Sequence, residues 1–333
     1  MVQDQATQAE LAKLARVLGT TPDRVAFAES LDHTAIRSLR DRVAAALYDE
    51  HRAGFRRIAR VARVLPTPLN VKITMRSFPP RLAARIASEM APDRAAELAN
   101  RMPIDYLAEG CLHLDPHRAA PLISRIRPDR MKAVVTELVR RGEYITLGHL
   151  LDAAADRAVR LVAATISDDA LLRIGYYTES TARLTQAVAA LPLQRLPALV
   201  HHALTGPRDL RSAGLALIQR IDDDNLRGRL ADYAAQADDD TLTTLLRTAI
   251  DDNCVPQLLT AVAAMRPASQ QRVLTLPALA EPDILSHLIN AAATHNLATQ
   301  LAPMMNRIVN RFRLGSTAHR ETTGPTRRPP EQP

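Results

Sequence analysis

The residues with the most chemical potential are three acidic runs, Asp222-Asp223-Asp224, Asp238-Asp239-Asp240 and Asp251-Asp252. Grouped carboxylates can supply oxygen ligands to a hard cation. None of the three has the alternating spacing and central glycine of a calcium loop. All fall at expected turns before helices, where aspartate caps free N–H groups and meets the positive end of the helix dipole. Capping is therefore the expectation, and no metal ligand is assigned. The histidines lead to the same result. His113 and His117 are four apart, a zinc-binding spacing when both lie on one helix, but Pro116 intervenes and opens a new helix. His201 and His202 are adjacent and point to different faces, and no glutamate completes an HExxH pattern.

A second candidate is cationic. Arg52, Arg56, Arg60 and Arg63 recur at helical spacing, with Arg57 beside them, and residues 34–64 hold eight arginines against three acids. A one-sided basic helix can contact nucleic-acid phosphates, an anionic membrane surface or an acidic partner. The competing expectation is a solvated face in an arginine-biased chain. Of 43 basic residues only Lys13, Lys72 and Lys132 are lysine, which fits a GC-rich coding bias as well as it fits phosphate chemistry. Phe55 is the one ring within reach of the stripe, so the aromatic interleaving of single-strand binders is missing. No helix-turn-helix or other named nucleic-acid motif is evident.

Catalysis has the least support. The chain has 11 glycines, no glycine-rich phosphate loop and no GxSxG. Its two cysteines, Cys111 and Cys254, form no CxxC and gather no zinc ligands. They read as small buried apolar residues in a reducing compartment. No catalytic residue, metal or cofactor is assigned. The N-terminus does not read as a signal peptide, and no run approaches the ~18 apolar residues needed to span a bilayer. A cytoplasmic protein is the expectation. With 47% hydrophobic residues most of the chain should be ordered, while aromatics at 3% and abundant alanine and leucine suit closely packed helices.

The elements that would position these residues are marked by proline. Pro68, Pro80, Pro92, Pro116 and Pro128 lie on a twelve-residue ruler, and Pro103 misses a mark by one. With units starting at 68, 80, 92, 104, 116 and 128, the fourth, eighth and eleventh positions are apolar throughout, from Val71, Met75 and Phe78 to Met131, Val135 and Leu138. Those offsets trace one stripe of an α-helix. Proline at the first position loses no hydrogen bond, and it pushes the residue before it out of helical geometry. Each unit is thus a short helix of about nine residues plus a tight turn, which only neighbouring units can stabilise.

The rest of the chain is read around that ruler. Residues 1–65 form an N-terminal helical segment: a helix with Leu11, Leu14 and Leu18 on one face ending at Gly19, a short helix from Pro22, and a long helix from Asp32 or Thr34 to about Leu65. Residues 66–141 carry the strict repeat, and 142–313 continue it less regularly, with starts near Asp168, Pro192, Arg208, Asp224, Asp240, Val255, Pro267 and Pro282. Residues 314–333 are polar and proline-rich, the composition of a disordered tail. No segment alternates as a strand does. The expected fold is all-α, a right-handed superhelical stack, or solenoid, of short helices.

The units Pro80-Arg81-Leu82-Ala83-Ala84-Arg85-Ile86-Ala87, Pro92-Asp93-Arg94-Ala95-Ala96-Glu97-Leu98-Ala99 and Asp115-Pro116-His117-Arg118-Ala119-Ala120, followed by Pro128-Asp129-Arg130-Met131, carry a family likeness. They resemble the cytosolic N-terminal helical domain of MgtE-type magnesium transporters, a motif related to helical stacks in flagellar motor-switch proteins. The likeness implies a superhelical fold and a partner-sensing role. It does not extend to the family's regulatory and membrane domains, so it does not imply magnesium transport. The expected function is a non-enzymatic scaffold that binds a protein partner. The alternatives are an anion-binding module using Arg52, Arg56, Arg57, Arg60 and Arg63, for nucleic acid or an acidic membrane surface, and a divalent-cation sensor.

Overall fold

The computed structural model describes residues 5–294, and among them every regular element is helical. The expected tail lies outside the described residues. The proline ruler sets the helices where the spacing places them: α4 (Thr67–Ser77), α5 (Pro80–Ala87), α6 (Pro92–Ala99), α7 (Ile104–Cys111), α8 (Pro116–Ile123) and α9 (Pro128–Arg140). The residue before the opening proline of α5, α6 and α9 is extended, with ψ of 152° at Pro79, 131° at Ala91 and 142° at Arg127, as the clash with the proline ring requires; α4 starts one residue ahead of the ruler, at Thr67, with Pro68 second. The repeat's apolar stripe turns inward: Ala95, Met102, Ala119, Ile123, Val135 and Leu138 are buried. Met75 departs from the pattern. It stays 41% exposed, because α4 lies near the start of the stack.

The less regular continuation is helical as well. It runs through α10 (Tyr144–Ala153), α11 (Asp156–Thr165), α12 (Asp168–Tyr177), α13 (Thr181–Ala189), α14 (Leu196–Thr205), α15 (Arg208–Arg220), α16 (Asp224–Ala234), α17 (Asp239–Asp251), α18 (Val255–Ala263), α19 (Pro267–Leu274) and α20 (Pro282–Thr294). Three short 3₁₀ turns, the first at Pro22–Ala28, complete the described elements.

One rule organises the packing. From α3 (Arg52–Val64) to α18, each helix packs on its second neighbour, α3 on α5, α4 on α6, and onward to α16 on α18. From α12 onward third neighbours pack as well, α12 on α15 and α15 on α18, and the main apolar core runs from Ala108 to Leu230. Two glycines permit the closest approaches. A Cβ on Gly148 would sit 2.8 Å from the Tyr177 carbonyl carbon, and one on Gly228 2.2 Å from the Ala264 carbonyl oxygen, so α10 with α12 and α16 with α18 meet almost backbone to backbone.

The N-terminal segment differs from expectation at one point. The single long helix expected to about Leu65 is two helices, α2 (His33–Asp49) and α3, broken at Glu50-His51. Tyr48 and Phe55 explain the break. Both are buried against Ile86 of α5, with ring centroids 5.9 Å apart, and a turn between them lets the two rings share that site. The helix α1 (Gln5–Val17) ends at Gly19 in the left-handed region, φ 64°, where glycine carries no Cβ penalty. Asp32 caps α2, accepting from the Thr34 N–H at 2.7 Å.

Candidate functional site

The arginine stripe on α3 is divided by its partners. Glu89, at the end of α5, sits almost buried and takes Arg52 Nε at 2.9 Å on one oxygen and Arg56 Nε at 2.8 Å on the other. The Tyr48 hydroxyl donates to the same carboxylate at 2.9 Å, and Arg118 lies over the Tyr48 ring at 4.3 Å. Burial alone would raise the Glu89 carboxyl, but the bonds from Arg56, Tyr48 and Arg52 outweigh it and hold it below the ordinary range. Burial and the Glu89 bond push Tyr48 up to about 12. Arg52 and Arg56 thus fasten α3 to α5. Arg57, Arg60 and Arg63 remain exposed beside Val61 and Val64, with no carboxylate partner among the described residues.

A larger ionic assembly lies where α1 meets the stack. Glu10 is 2% exposed and accepts from Lys13 Nζ at 2.9 Å, Arg37 Nη2 at 3.0 Å and Arg40 Nη1 at 2.8 Å. Glu179, between α12 and α13, accepts from Lys13 at 3.0 Å and from Arg40 Nη1 at 2.6 Å. Two acids thus hold three cations that come from α1 and α2. Burial would raise Glu179, but hydrogen bonds from His149 and Arg40 and the charges of Lys13 and Arg40 prevail and hold its carboxyl far below the ordinary range. Asp152 fixes this turn by accepting the backbone N–H groups of Glu179 and Ser180, each at 2.9 Å, and its burial raises its own carboxyl.

The contact continues at both ends of α1. Arg16 pairs with Glu143 at 2.6 Å. The Gln5 carbonyl accepts from the Tyr176 hydroxyl at 3.0 Å, and the Gln5 side-chain amide donates to Asp252 at 3.0 Å. Asp252 corrects one expectation. Asp251 and Asp252 end α17 rather than cap the next helix, and the Asp252 carboxylate bridges Gln5 to Arg208 (2.8 Å) and Ser212 on α15. The other two acidic runs cap as expected, Asp223 at 3.0 Å to the Leu226 N–H and Asp238 at 2.7 Å to the Thr241 N–H. Among the described residues no group of three or more His, Cys, Asp or Glu converges as a metal site would.

Two clefts flank α1. The first, 860 Å³, gathers Tyr144, Tyr176 and Tyr177, half of the chain's six tyrosines, around Arg173 and Arg208. Arg173 lies over the Tyr144 ring at 5.7 Å, and Tyr176 meets Tyr177 edge to face at 5.0 Å. Burial raises the Tyr177 hydroxyl, so it stays a neutral donor. The second, 620 Å³, lies between α2 and the stack, with Lys13, Arg40, Asp152 and Glu179 on one side and Arg85, Thr146 and His149 among its other lining residues.

Neither the tyrosine cleft nor the ionic assembly was legible in the sequence, since their members stand up to 247 residues apart. A third role of arginine was also missed. Arg94 donates to the Leu65 carbonyl at the end of α3, Arg130 to the Met102 carbonyl just after α6, and Arg195 to the Ala163 carbonyl of α11 at 2.8 Å. Arg220 reaches the Gly175 carbonyl at 3.2 Å and the Thr178 carbonyl at the end of α12. Helix C-termini leave such carbonyls unpaired and carry partial negative charge, and a guanidinium can satisfy several at once. The signal was present in the ruler: Arg94 and Arg130 each occupy the third place of a Pro-Asp-Arg start, just over two units beyond the carbonyl they reach. Comparison with known proteins gives no match to this chain, whether among family models, curated proteins or solved structures.

Proposed function

We propose that the chain is a non-enzymatic cytoplasmic scaffold that binds a protein partner on its helical-repeat surface, at the tyrosine cleft beside α1. The observation that supports this is the convergence of Tyr144, Tyr176 and Tyr177 with Arg173 and Arg208 at a large open cleft in a chain so poor in aromatics. Tyrosine and arginine dominate the energetics of protein recognition, because each offers a large flat surface and a polar end at low entropic cost. The resemblance of residues 66–141 to a partner-sensing helical domain points the same way. The test is capture of a cellular partner by the intact chain and by a Tyr144→Ala, Tyr177→Ala double variant. The expected result is a partner lost by the variant while its thermal melt stays within a few degrees. Equal retention by both chains overturns the reading.

A second reading keeps the α3 surface as an anion-binding face. It is favoured by the three unpaired cations Arg57, Arg60 and Arg63. Binding of duplex DNA or of anionic vesicles should then fall steeply between low and moderate salt and vanish when those three become alanine. Binding that survives the triple change would reduce the stripe to a solvated face.

A further inference from the structure

The cleft between α2 and the stack differs from the tyrosine cleft in how its polar groups are used. Its acids are all engaged: Asp41 by Arg40, Asp115 by Arg118, Asp152 by two backbone N–H groups, and Glu179 by Lys13 and Arg40. Lys13 and Arg40 are engaged by the same acids, and Arg16 by Glu143. What remains are donors. The Arg85 guanidinium lines the cleft half-buried, with no ion pair or side-chain hydrogen bond among the described residues. Thr146 is only 5% exposed, and its Oγ1 has no hydrogen-bond partner.

A buried hydroxyl without a partner is destabilising because its lost hydration is not replaced, and a bound acceptor at Thr146 would remove that penalty. A half-buried guanidinium with no counter-charge calls for an oxyanion, which it holds bidentately. Ala44, Ala45, Leu47 and Leu114 supply apolar wall, and a volume of 620 Å³ lies within the ordinary range for small-molecule sites.

We propose that this cleft binds a small oxyanion ligand, a phosphorylated or carboxylated metabolite-sized molecule, with its anionic group on Arg85 and an acceptor on the Thr146 hydroxyl. The site is separate from the tyrosine cleft and does not depend on the partner reading. Because the Lys13–Glu179 contact forms part of its wall, an occupied cleft also stabilises the docked position of α1.

The test is calorimetric titration of the full chain with inorganic phosphate and, separately, with succinate. Saturable one-to-one binding of at least one probe is expected, and which probe binds assigns the phosphate or the carboxylate class. Arg85→Gln should weaken that binding at least tenfold, while Arg157→Ala, at an exposed position on α11, leaves it unchanged. Thr146→Val should also weaken binding, yet raise the melting temperature of the ligand-free chain, a combination that a merely structural hydroxyl would not give. No saturable heat with either probe, or undiminished affinity in Arg85→Gln, overturns the proposal. Heat that disappears only when Arg57, Arg60 and Arg63 are replaced would place binding on the outer surface and overturn it equally.

Discussion

The helix α1 and the stack that begins at α3 meet their neighbours by different forces. Stack helices join through apolar side chains, in a main core from Ala108 to Leu230 and in smaller clusters toward both ends of the stack. The apolar cluster around Leu14 in α1 draws its members only from residues 11–39, namely Leu11, Ala15, Val25, Ala28, Ile36 and Leu39. Between α1 and the stack stand Glu10, Lys13, Arg40, Glu179, Gln5 and Asp252, joined by ion pairs and hydrogen bonds. Apolar burial is non-directional and accumulates with area. Ionic contacts in a desolvated setting add little net stability, because removing charge from water offsets the attraction, but they penalise any mispaired arrangement heavily. The stack therefore supplies cohesion, and the charged seam specifies where α1 sits.

That contrast can be broken by mutation. Leu138→Ala, at a fully buried stack position, should cost ~2–5 kcal/mol and lower the midpoint of the whole denaturant transition. Glu179→Ala should cost about 3 kcal/mol locally, since it leaves the three cations Lys13, Arg37 and Arg40 with Glu10 as their one remaining shared acid. Its signature is loss of hydrogen-exchange protection in α1 and α2 with the stack's protection retained; equal loss in both regions would refute the separation. Gly148→Ala sharpens the comparison from the stack side. The new Cβ meets the Tyr177 backbone, so a cost of ~1–3 kcal/mol is expected from overpacking, and the displaced end of α12 should loosen α1 as well. Ser167→Ala removes a cap whose oxygen accepts the Ala170 N–H at 3.2 Å and should cost about 1 kcal/mol with α1 unaffected.

The seam also has a pH signature. Glu179 is held below its ordinary value of 4.5 in the folded chain. A depressed carboxyl contributes its stability fully above the unfolded value and loses it as the pH falls through the folded one. Protection of α1 should thus be constant from neutral pH down to about 5 and decline only in stronger acid. A decline already at pH 6–7 would assign the seam to a histidine instead.

The helix starts were legible because the rules that set them are local. Proline at the first position, Asp32, Ser167, Asp223 and Asp238 at caps and Gly19 at a stop each act within a few residues. The break at Glu50-His51 was not legible, because it is decided by the site on α5 that Tyr48 and Phe55 share. The Asp251-Asp252 run looked like its two predecessors, but Asp252 is claimed by Gln5, Arg208 and Ser212, which reach it only after folding.

Sequence alone determined that this chain is a succession of short helices with one buried stripe each, because periodicity and capping are properties of neighbouring residues. Only the tertiary structure decided what its arginines do. Arg52 and Arg56 clamp a buried acid, Arg94, Arg130 and Arg195 close helix ends, Arg40 holds α1 against the stack, and Arg57, Arg60, Arg63 and Arg85 are left with unspent charge. A guanidinium's role depends on which carbonyl or carboxylate stacking brings within about 3 Å, and that distance exists only once the helices have packed.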